Sequence, residues 1–188
     1  MPGVAIFTRL GYLFIYPVAS ATNLRERVPM IYSNACAYTI RAMTQLALVG
    51  PDRYVLLDEI CAGTDLPRHF VAKLFQDLVR TGLLISAKGR GGGFALARPP
   101  GSISLFDIVA AVDGKQQFDA CVVGMARCND KQPCPQHDEW TELKAHLLKY
   151  LHGTTLEKAA RTYQKKLDLL GKSVPEPRSR SKPLKKRR

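Results

Sequence analysis

The sequence lacks any apolar run approaching the roughly 20 residues that a membrane-crossing helix needs, which argues against a helical membrane protein. It has no internal repeats, so a solenoid is excluded. Only four histidines and one tryptophan are present. No Ser/His/Asp set or carboxylate pair recommends itself as a catalytic centre, and an enzyme is not expected. The five cysteines are an odd number, a poor fit to a disulfide framework. None forms the C-x2–4-C pair of an ordinary structural zinc site. Acidic residues are also scarce, 16 against 28 Lys and Arg, giving a net charge of +12.

That charge is unevenly placed. Residues 172–188 hold eight basic residues against one Glu, whereas Met30 to Gly171 has only a slight excess. Residues 172–188, rich in Pro, Ser, Lys and Arg, read as a disordered basic tail that adds non-specific DNA affinity or is simply solvated. Residues 1–29 imitate a secretory signal, with Arg9, apolar Leu10–Val18 and Ala19-Ser20-Ala21. The stretch is short, Pro17 interrupts it, and a start-like sequence begins at Met30. It is therefore read as a non-native or dispensable extension, and the protein as cytoplasmic. At 46% hydrophobic, the remainder suffices for one ordinary core with appendages. Within it, Asp65 to Arg98 carries six basic residues against Asp65 and Asp77, pointing to a polyanion partner.

Apolar spacing predicts a helix over Ser33–Val49, started by Ser33 or Asn34 and stopped by Gly50-Pro51. A short helix over Val55–Gly63 and a third from Pro67 to about Arg80 follow, with Phe70, Val71, Leu74, Phe75 and Leu78 inward. Two short strands, Leu83–Lys88 and Phe94–Arg98, flank the basic tip Gly89-Arg90-Gly91-Gly92-Gly93. Helix-turn-helix followed by such a hairpin is a winged helix, spanning residues 30–100. Arg68, His69 and Lys73 on the third helix are candidate base or phosphate contacts, and Lys88 and Arg90 candidate phosphate contacts on duplex DNA. A solvated helix face is the plain alternative; the adjoining basic wing favours DNA. Arg98, at the wing's far end, is the weaker candidate. Residues 101–171 should hold a helix capped by Ser104 and Asp107, a cysteine loop, a leucine-rich helix from about Asp138, and a last helix with a Thr154/Glu157 capping box. The leucine-rich helix completes the core or pairs with its copy in a homodimer; the dimer is favoured. The expected class is mainly α with a small β-hairpin wing and a long C-terminal dimerisation helix.

Cys121, Cys128, Cys134 and His137 fall in seventeen residues, spaced C-x6-C-x5-C-x2-H. Clustered thiolates repel unless a cation or cluster neutralises them, and thiolate with imidazole suits zinc or iron–sulfur. The wide gaps suit a cluster; only Cys134-x2-His137 is zinc-like. A thiol–disulfide switch would leave His137 unexplained. Arg127 and Lys131 between the cysteines would stabilise thiolates under each reading. Cys36 and Cys61, single in apolar segments, read as small buried hydrophobes.

Tyr32–Ala42, the helix-turn-helix through Leu74-Phe75, the wing Gly89–Phe94, Ile108–Asp113 and the three cysteines ahead of Trp140 together carry a resemblance. From Met30 to about Tyr163 the chain resembles the IscR/NsrR-type family of bacterial winged helix-turn-helix, iron–sulfur-dependent transcription regulators. The resemblance implies a homodimeric regulator, expected to be a repressor, whose [2Fe-2S] or [4Fe-4S] cluster controls its DNA binding. The three cysteines match the family's ligands. The histidine used by IscR-like members falls on His137. The acidic ligand of NsrR-type members falls on Ala37, which cannot ligate; neighbouring Cys36 stays open as a ligand reaching across the dimer. The family's acidic recognition residue is replaced by Ala72, and its neighbour by Lys73, so DNA sequence preference does not transfer. The alternatives are the same fold with structural zinc or a thiol switch, or an iron–sulfur electron carrier that binds no DNA.

Overall fold

A computed structural model describes residues 31–50, 52–119, 121–124, 130–174 and 183–184. The expected extension at 1–29 and most of the basic tail lie outside these residues. Helix α1 (Asn34–Val49) starts where the Ser33 hydroxyl accepts from the Cys36 N–H at 3.0 Å. The Ser33 N–H and hydroxyl both donate to the Asp113 carboxylate, tying the start of α1 to a residue eighty positions on. Met43, Leu46 and Ala42 of α1 are fully buried, and this helix is the axis of the core.

Helix α2 is shorter than its apolar pattern suggested, Leu57–Cys61. Val55 pairs instead with Phe94, through N···O contacts of 2.8 and 2.9 Å. A β-branched residue at a helix start gains more from this sheet edge than from one extra helical turn. Helix α3 (Arg68–Arg80) follows the turn at Gly63–Leu66, with Pro67 as its N-cap. Its inward face is Val71, Leu74, Phe75 and Leu78. Phe70 was expected there but is 39% exposed and meets the Tyr38 ring edge-on, at 5.8 Å between centroids. Strands β1 (Leu84–Ala87) and β2 (Gly93–Leu96) form an antiparallel hairpin, with Leu84 opposite Leu96 and Ala87 opposite Gly93. The fold is thus a winged helix-turn-helix, mainly helical with a two-stranded wing.

Helix α4 (Leu105–Val112) begins in the expected Ser104/Asp107 capping box. A short 3₁₀ turn, Lys115–Phe118, leads to the cysteine loop. Helix α5 (His137–Gly153) and helix α6 (Leu156–Leu169) follow. The α6 cap is Thr155, not Thr154: the Thr155 hydroxyl accepts from Lys158 N–H, and the Thr154 carbonyl is taken by Leu105 N–H at 2.9 Å. Ile103, Ile108, Leu151 and Leu156 join Met43 and Phe75 in one continuous core, so α4 and α6 complete the winged helix. Helix α5 buries only His137 and Leu151. Of the tail, Leu184 N–H donates to the Asp52 carbonyl at 2.9 Å and Pro183 pairs with Arg53.

Candidate nucleic-acid interface and metal loop

The apolar stripe of α3 faces inward, and its opposite side is left for contact. Arg68, His69 and Lys73 are all exposed on it. Arg68 ion-pairs with Asp58 of α2, both half-exposed or more. Such surface pairs are worth about 0–1 kcal/mol, so a phosphate or a guanine edge can displace the carboxylate. Nothing in local spacing links residues 58 and 68, so this pair is set by the fold. Lys88 and Arg90 are exposed on the wing. Arg98 pairs with Asp107 at 3.2 Å.

The wing's glycines are needed by the wing itself. Gly92 N–H donates to the Gly89 carbonyl at 2.9 Å, closing the tip. A Cβ on Gly92 would lie 2.2 Å from the Ala87 oxygen, and one on Gly93 2.2 Å from the Val55 oxygen. Gly89 and Gly91 have positive φ and an open surface at Gly89, so the backbone there can approach a polyanion closely.

In the cysteine loop, Cys121 is buried and its carbonyl accepts from Gly124 N–H at 3.0 Å. Cys134 and His137 are brought together by a turn in which His137 N–H donates to the Cys134 carbonyl at 3.0 Å. His137 opens α5, is 7% exposed, and has Nε2 2.9 Å from the Asp130 carboxylate. A carboxylate on one ring nitrogen fixes tautomer and ring orientation, the usual support of a ligating histidine. One turn further on, the Trp140 indole N–H is buried with no hydrogen-bond partner among the described residues. Cys128 lies outside the described residues, and among those described no three Cys, His, Asp or Glu converge as a metal site. By chemistry the set fits a soft-to-borderline centre: thiol and imidazole donors, a supporting carboxylate, and an orphan N–H of the kind that hydrogen-bonds cluster sulfurs.

Cys36 is fully buried, and burial, then the nearby Asp113 carboxylate, push its thiol up to about 12. A thiol raised this far favours its protonated form. Cys61 is also raised, chiefly by burial.

The profile of the Rrf2 family, described as an iron-dependent transcriptional regulator, matches residues 32–162. The chain belongs to the Rrf2 family. It is 34% identical over 130 residues to a protein of Aquifex aeolicus (strain VF5) named as an HTH-type transcriptional regulator, covering 68% of this chain and 90% of that one. It is 30% identical over 135 residues to the HTH-type transcriptional regulator IscR of Enterobacter sp. (strain 638), covering 72% and 82%. Among solved structures, T. potens IscR superposes with a TM-score of 0.56 at 25% identity, covering 71% of this chain and 88% of that one. CymR (YrzC), the global cysteine regulator of B. subtilis, does so at 0.59 and 23%, covering 69% and 95%, which shows the shared fold alone. The relatives regulate transcription, which supports reading this Rrf2 chain as a DNA-binding transcription regulator. No helix among the described residues is long and apolar enough to cross a membrane.

Proposed function

We propose that this Rrf2 regulator is a cytoplasmic homodimer, acting as a repressor, whose DNA binding is set by an iron–sulfur cluster held by Cys121, Cys128, Cys134 and His137. The observation that carries the reading is the Cys134–His137 turn. It puts a buried, carboxylate-supported imidazole at the first residue of α5 and a thiol three residues before it. The cluster, when bound, supplies a redox- and ligand-sensitive cross-link among the three thiolates and the imidazole.

The chain's own residues do the rest. Lys88 and Arg90 hold the wing on phosphate, and Arg68, His69 and Lys73 meet the major groove from α3. The loop from Asp119 to His137 joins α4 to α5. Ordering or loosening it therefore shifts α5, and with it the spacing of two recognition helices in a dimer. On this reading residues 30–100 form the DNA-binding unit, 101–171 carry the sensing loop and dimer helices, and 172–188 is a basic tail.

The test is anaerobic purification of the whole chain, with absorption spectroscopy and metal and sulfide analysis. Brown protein with iron and sulfide in comparable amounts is expected. Colourless protein with one zinc per chain would sink the cluster reading in favour of structural zinc. Metal-free protein that reversibly loses thiols on oxidation would favour a thiol switch. Absence of duplex DNA binding in every cluster state would instead indicate an electron carrier.

A further inference from the structure

A cavity of about 570 Å³ opens between α1, the turn preceding α3, the C-terminal end of α5, and α6. Its size is that of a small-molecule site, roughly 300–1,000 Å³. Ile40, Leu66, Leu105 and Ala159 give it aliphatic surface, and Tyr32, Tyr150 and Tyr163 give it ring surface. Gln45 also lines it and is only 3% exposed, yet its Oε1 has no hydrogen-bond partner among the described residues.

An orphaned buried acceptor of this kind costs about 1–3 kcal/mol, so a partner is expected. The neighbouring hydroxyls do not supply it. Thr44 Oγ1 donates to the Ile40 carbonyl at 2.7 Å, and Thr162 Oγ1 to the Lys158 carbonyl at 3.0 Å. None of the described residues supplies the missing donor. The charges are as informative. Arg41 is occupied by Asp65, whereas Lys158 and Lys166, two turns apart on α6, have no ion pair among the described residues.

We propose that this cavity binds a small aromatic carboxylate bearing an N–H or O–H donor. The ring lies against the tyrosines and aliphatics, the donor meets Gln45 Oε1, and the carboxylate meets Lys158 and Lys166. Thr64 and Leu66, in the turn that aims α3, also line the cavity, so an occupant bears on the recognition helix. Only that regulatory consequence rests on the DNA-binding reading; the ligand site itself does not.

The experiment titrates 4-hydroxyphenylacetate and indole-3-acetate calorimetrically into the full-length protein, with phenylacetate as the donor-free control. At least one probe is expected to bind with Kd below about 1 mM, and phenylacetate about tenfold more weakly than its hydroxylated form. Lys158→Gln with Lys166→Gln should weaken binding about tenfold. Gln45→Leu should erase the preference for the hydroxylated probe and raise thermal stability, because it removes an unpaired acceptor. No binding of either probe at millimolar concentration, or binding indifferent to both sets of substitutions, overturns the proposal. If binding follows the expected pattern but leaves DNA affinity unchanged, the ligand site stands and its regulatory consequence is overturned.

Discussion

Cys36 shows how a single buried residue makes this protein sensitive to pH. Its thiol is fully buried and ionises near pH 12 in the folded chain, against 9.0 for the ordinary group. Between those values the unfolded chain has lost the proton and the folded chain keeps it, so stability falls as pH rises. The slope from this residue is about 1.4 kcal/mol per pH unit. Urea unfolding at pH 9 and pH 11 should therefore show a steeper loss for the wild type than for Cys36→Ala; equal slopes would show that the thiol does not bear on stability. On the proposed reading, Arg68 and Lys73 meet the DNA from α3. Replacing both with Ala should weaken duplex binding and lower the slope of log affinity against log salt by about 1 for each phosphate no longer neutralised. Fluorescence anisotropy at several salt concentrations reads both quantities. At this scale the sequence revealed residue types better than partners. The exposed basic residues were legible from their spacing opposite Val71, Leu74 and Phe75. The Arg68–Asp58 and His137–Asp130 pairs were not, because each depends on a tertiary approach that carries no period. Phe70 departs from the stripe for a related reason: it has the right spacing but sits in the first turn of α3, where Tyr38 covers only its edge.

Among the elements, α4 and the wing are held by short polar and steric devices rather than by length. Burial pushes the Asp107 carboxyl up, but the Ser104 N–H and hydroxyl and the Arg98 guanidinium outweigh it, leaving it below the usual carboxylate range. A lowered value in the folded state means stability that is present above the ordinary carboxylate range and is lost as pH falls through the folded value. Asp107→Ala should thus cost about 1 kcal/mol at neutral pH, with the difference shrinking in acid, as followed by urea unfolding. In the wing, Gly93→Ala meets the Val55 oxygen at 2.2 Å as well as a positive φ of 135°. The backbone strain alone is worth roughly 1–3 kcal/mol, and the clash adds to it. Gly89→Ala has positive φ but open space, so its cost should be smaller, near 1 kcal/mol. A similar loss for both in chemical denaturation would contradict this account. The helix-turn-helix and hairpin were legible because their periods differ and glycines separate them. Boundaries were less so: Thr154 and Thr155 both offer a cap three residues before a suitable partner, and only the bond from Leu105 to the Thr154 carbonyl selects between them.

For the whole molecule, α5 runs from the cysteine loop to the core and is unevenly exposed. Leu143 is 60% exposed, on a helix that buries only two of its own residues. A second copy covering this face would put two recognition helices on one duplex and make α5 the shared lever. Leu143→Glu should then shift sedimentation from dimer to monomer without loss of helical circular dichroism, and DNA affinity should fall with it. An unchanged dimer would place the interface elsewhere. Under the proposed cluster reading, the same arrangement would link cluster and DNA thermodynamically. If cluster removal changes operator affinity by some factor, DNA must change the equilibrium for cluster binding by that factor too. Switches of this type are worth about 1–3 kcal/mol, or roughly 5–150-fold. Operator affinity measured anaerobically before and after chelation of the metal should differ within that range, and His137→Ala should reproduce the chelated value in both conditions. Identical affinities in both states, with the cluster demonstrably present in one, would leave the cysteine loop as a structural element without a regulatory role.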